Sequence, residues 1–118
     1  MRHLLAALCL TCVACAAAGP VAGPPPDPPP ANPWSEPTRT ALAPHCGSCH
    51  RSDLATAVPG ALEVFDLIQE PWYVIMSDEQ LTALARRARA GPFTDAEKDM
   101  IDRFVACARG GSCAETND

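Results

Sequence analysis

Cys46-Gly47-Ser48-Cys49-His50 sets two thiols around two small residues and follows the second thiol at once with an imidazole. Three chemistries use such a set. Two thiols at this spacing can each add to one of the two vinyl groups on one edge of a haem, and the next residue then lies beneath the iron with a ring nitrogen to offer. Gly47 and Ser48 are small enough for the backbone to press close to a flat macrocycle. The same donors suit zinc, and a thiol pair two residues apart also serves thiol–disulfide exchange.

The start of the chain bears on the choice. Met1-Arg2-His3 precedes an uncharged apolar stretch from Leu4 to Ala18, and Ala16-Ala17-Ala18 offers small residues for cleavage, so residues 1–18 read as an export signal. That stretch is shorter than the roughly 20 apolar residues of a membrane-crossing helix, and no later segment approaches that length. Val13-Ala14-Cys15 also resembles the end of a bacterial lipobox, with Cys12 where a Leu is usual. Two products are therefore expected: cleavage near Ala18, or cleavage after Ala14 with a lipid on Cys15. Either way the mature protein is expected outside the cytoplasm, in the periplasm or tethered there to a membrane.

Residues 19–37 are rich in Pro, Ala and Gly, with Pro24-Pro25-Pro26-Asp27-Pro28-Pro29-Pro30 at their centre, and read as a stiff extended linker. Residues 38–118 are then one small domain, near the size at which an apolar core alone gives marginal stability. A large flat apolar group held inside it would relieve that shortage.

The elements that must hold the motif read as helices. Ser77 with Gln80, and Thr94 with Glu97, each have capping-box spacing. Leu81, Leu84, Ala85 and Ala88 follow the first box at helical spacing up to Gly91-Pro92. Met100, Ile101, Phe104, Val105 and Ala108 follow the second up to Gly110-Gly111. A shorter helix is expected from about Pro59-Gly60, carrying Leu62, Phe65 and Ile68, and another from about Glu36 to Ala43, ending before Pro44. Nothing alternates long enough to predict a strand, and no internal repeat is found. The fold class expected is all-α, about four short helices.

Of the chain's 7 cysteines, Cys9 and Cys12 leave with the signal and Cys15 leaves or is lipidated. Cys107 and Cys113 then remain beside the motif, and they fit a disulfide that pins the end of the last helix in an oxidising compartment. A zinc site would instead recruit Cys107 and Cys113 to Cys46, Cys49 and His50, one donor more than zinc takes.

Over roughly Thr38 to Ala108 the order helix, CxxCH, loop, short helices and amphipathic C-terminal helix resembles a monohaem class I cytochrome c. The resemblance implies one covalent haem c on Cys46 and Cys49 and His50 as proximal iron ligand. It also implies a Pro carbonyl that accepts from the His50 ring N–H, a place that Val58-Pro59-Gly60 matches with Pro59. Family members usually supply a distal Met from the loop before the last helix, and here Arg89 to Phe93 contains none. Met76, after Trp72-Tyr73-Val74-Ile75, is the candidate distal ligand; Met100 reads as core, and His45 is too close to Cys46 on the same haem edge.

A thioether opposite the imidazole would leave no open iron position and favour one-electron transfer between redox partner proteins. An open position would instead make a haem-based sensor or a weakly peroxidatic protein. Trp72 and Tyr73 read as core or as pocket lining, and Arg86, Arg87 and Arg89 as a solvated helix face, a partner surface or a neighbour of haem propionates. The net charge of −5 argues against nucleic acid. No phosphate-binding loop, paired catalytic carboxylates or Ser/His/Asp set points to a substrate-converting enzyme.

Overall fold

The computed structural model describes residues 19–26 and 31–114. Residues 1–18, which were read as the export signal and include Cys15, lie outside them, as do residues 27–30 of the Pro-rich segment. The described residues form four helices and no strand: α1 Ser35–His50, α2 Pro59–Leu62, α3 Asp78–Ala90 and α4 Asp95–Ala108.

Both capping boxes are formed. Ser77 Oγ accepts from the Gln80 N–H while Gln80 Oε1 accepts from the Ser77 N–H, and Thr94 and Glu97 repeat the exchange at α4. Two donors that an α-helix start leaves without partners are thereby satisfied at each helix. At its other end α4 closes with Gly110 N–H on the Cys107 carbonyl and Gly111 N–H on the Ala106 carbonyl. This is the paired closure in which the chain turns through a left-handed residue, here Gly110 at φ 83°. Gly111 is constrained by approach instead, because a Cβ there would meet the Ala106 carbonyl oxygen at 2.5 Å. The Cys107–Cys113 disulfide ties the segment after this turn back to α4.

The core is built on α4. Its Ile101, Phe104 and Val105 are buried against Leu42 of α1 and against Leu81, Leu84 and Ala88 of α3. Trp72, 1 % exposed, stacks on Phe104 with centroids 4.9 Å apart and donates its indole N–H to the Ser35 carbonyl at 3.2 Å. Burying an aromatic of that size while satisfying its polar handle makes Trp72 a principal core anchor.

Three expectations need correction. The first helix does not stop before Pro44 but runs through it to His50. Pro44 and Thr40, whose carbonyl loses its intrahelical donor there, are both exposed, so water can serve that carbonyl. The ordered unit also starts earlier than residue 38. Asn32 is buried, its side-chain amide donates to the Phe104 carbonyl at 3.0 Å, and α1 begins inside the segment assigned to the linker. Finally, α2 is a single turn, so Phe65 reaches the core from the following loop and Ile68 is exposed.

Candidate functional site

The whole CGSCH motif lies on the last turn of α1. Helical spacing puts Cys46 and Cys49 on one face of that turn and carries His50 to its end. The last carbonyls of a helix need outside donors, and the chain that follows supplies them: Val58 N–H reaches the Cys49 carbonyl at 3.1 Å, and Leu67 N–H reaches the His50 carbonyl at 2.8 Å. Asp66, buried between them in sequence, accepts from the Ser52 and Ile68 N–H groups at 3.2 Å each. Residues 51–68 are thus clasped onto the end of α1 by two backbone bonds, and Asp66 ties the clasp to itself.

The clasp also fixes the imidazole. His50 Nδ1 is 3.1 Å from the Phe65 carbonyl, and the two rings are stacked at 3.7 Å. A carbonyl only accepts, so this bond holds the ring proton on Nδ1 and leaves Nε2 with a free lone pair. The partner was expected to be Pro59. The Pro59 carbonyl is instead taken by the Glu63 N–H at 3.2 Å within the α2 turn, and Phe65 fills the role.

A mostly apolar cavity of about 500 Å³ opens beside the motif, within the range of small-molecule and cofactor pockets. From α1 it is lined by Leu42, His45, Cys46 and His50, and from the clasp by Gly60, Ala61, Val64 and Phe65. Met76, Gln80, Ala83, Leu84, Arg87 and Ala88 form the α3 side, and Gly91, Pro92 and Phe93 close it between α3 and α4. Cys46, His50 and Met76 therefore face one space although they come from two separate elements. Cys49 is half-buried on the same turn without lining the cavity, and Trp72 and Tyr73 pack away from it around Phe104. Met100 is half-buried on α4, and His45 is an exposed rim residue set edge-on to Phe93 at 4.7 Å.

Burial first, and then the Cys49 thiol, push the Cys46 thiol above its ordinary range, with Arg87 offsetting only part of this. A protonated Cys46 is not the low-pKa thiolate of a fast thiol–disulfide exchanger. Cys107 and Cys113 are bonded to each other, and no group of three or more metal-binding side chains gathers among the described residues. No helix among them is long and apolar enough to cross a membrane.

Sequence reading missed Phe65 as a site residue, since its register with His50 is set by the clasp rather than by any periodicity. The Asp66 side chain that locks the clasp was the available signal, as an acidic residue inside an apolar run. No protein-family model, no curated protein and no solved structure matches the chain.

Proposed function

We propose that the chain is an exported monohaem c-type cytochrome that carries single electrons between periplasmic or membrane redox partner proteins. One observation carries the reading: the Cys46 thiol and the His50 imidazole, at the end of the helix that also carries the Cys49 thiol, line an apolar cavity of about 500 Å³ together with the Met76 thioether from a distant part of the chain. Those residues fit the group. The free, half-buried thiols of Cys46 and Cys49 would hold the haem covalently as two thioethers. His50 would offer Nε2 to the iron while Phe65 keeps the proton on Nδ1. Met76, 9 % exposed, would offer its thioether as a further donor to the iron. When bound, the haem supplies a ferric/ferrous couple that takes one electron from a donor protein and passes it to an acceptor. The walls from α3 and the clasp would present mostly apolar surface to the haem.

The test is the visible spectrum, oxidised and reduced, of chain expressed with a haem-maturation system and then denatured. Haem that stays with the denatured chain, and low-spin bands with a methionine-to-iron charge-transfer feature before denaturation, are expected. Retained haem with high-spin bands would replace electron transfer by the sensor or peroxidatic reading. No retained haem would overturn the proposal and return Cys46 and Cys49 to zinc or thiol chemistry.

A further inference from the structure

The three arginines of α3 do not share a role. Arg89 donates from Nε and Nη2 to Asp102 Oδ2 at 3.1 and 2.9 Å, which ties its charge to α4. Arg86 lies on the side of α3 that faces Arg109, away from the motif. Arg87 alone lines the cavity, and it is the one residue of that lining with a permanent charge. It has no ion-pair partner among the described residues, and its field reaches the motif, since its attraction opposes the rise of the Cys46 thiol. A lone cation at the mouth of an apolar site stands out on a chain whose net charge is −5.

We infer that Arg87 sets the affinity of the site for an electron, raising the fraction reduced at a given ambient potential. This rests on the covalent-haem reading. One electron arriving from a donor protein, with no proton taken up, lowers the net charge in the cavity by one, and an adjacent guanidinium favours that state. Two unit charges roughly 10 Å apart interact by an amount that shifts the reduced-to-oxidised ratio about 2-fold in a water-like dielectric and about 15-fold in a protein-surface one. Arg87 is exposed, so salt weakens the effect.

The experiment is a redox titration of the haem-loaded full chain as wild type, R87K, R87Q and R87E, at low and high ionic strength. Gln and Lys are good helix formers, so α3 persists in those variants. R87Q should lower the reduced-to-oxidised ratio by about 2- to 15-fold, R87E should lower it further, and R87K should match wild type. The differences should shrink at high salt. A second readout needs no haem: in apo protein carrying C49S, R87Q should slow alkylation of Cys46 at mildly alkaline pH, because less thiolate is present. Equal ratios in wild type and R87Q at low salt, or R87K behaving like R87Q, would overturn the inference and leave the haem reading standing. Failure of the wild type itself to retain haem would overturn both.

Discussion

The His50 imidazole lies face to face on the Phe65 ring, centroids 3.7 Å apart and planes 5° from parallel, while its Nδ1 meets the carbonyl of the same residue at 3.1 Å. One residue therefore sets both the plane of the ring and the place of its proton. Phe65 can do this because its own ring is 5 % exposed and wedged edge-on against Trp72 at 5.6 Å.

Phe65→Ala should accordingly destabilise the full chain by about 3–5 kcal/mol, the range for deleting a buried aromatic. Phe65→Leu keeps the carbonyl and most of the apolar volume, so it should cost less while releasing the imidazole from its stack. Urea unfolding measures the first effect. The proton resonances of the His50 ring, which should lose their ring-current shift in Phe65→Leu, report the second; unmoved resonances would refute the stacking.

Asp66 predicts a pH dependence. Burial by itself would raise its carboxyl, yet hydrogen bonds from Ser52, Ile68 and Gln69 hold it below the ordinary range. Its folded value thus lies under the unfolded value of about 3.9, so its contribution to stability is complete above that value and is lost as pH falls through the folded one. Asp66→Asn should be less stable than wild type at neutral pH, and the gap should close on acidification. Unfolding free energies that fall in parallel for both proteins down to about pH 3 would sink this account.

Met76 separates packing from ligation. Met76→Ala should cost about 2–5 kcal/mol as a core truncation, whereas Met76→Leu should cost under about 1.5 kcal/mol. If the thioether binds iron, both variants lose the methionine-to-iron band in the haem-loaded chain. A Met76→Leu protein that folds normally and keeps that band would assign the distal position to another residue.

What could be read in the sequence followed short-range rules. Ser77–Gln80, Thr94–Glu97 and Gly110-Gly111 each act within one helical turn, and each defines a helix end where the spacing placed it. The fit of Cys107 to Cys113 was local in the same way, six residues apart. Long-range choices were not legible. Pro44 argues locally for a helix end, but the Val58 and Leu67 amides that close α1 at His50 come from a loop whose return no periodicity encodes. The exchange of Pro59 for Phe65 has the same origin, since a single-turn α2 commits the Pro59 carbonyl to its own helix. Arg87 was visible as a charge, but the partner of Arg89 lies 13 residues away on α4, and that pairing, with the place of Arg87 in the cavity lining, distinguishes the two.

The Pro-rich arm enters the folded unit at Asn32, held to the Phe104 carbonyl, and α1 starts three residues later. The motif occupies the other end of that 16-residue helix, about 24 Å along its axis. Helix α1 is therefore a spar with its mooring at one end and its working end at the other. In a chain held to a surface by its N-terminus, the length of α1 would lie between the point where the arm enters the folded unit and the CGSCH turn.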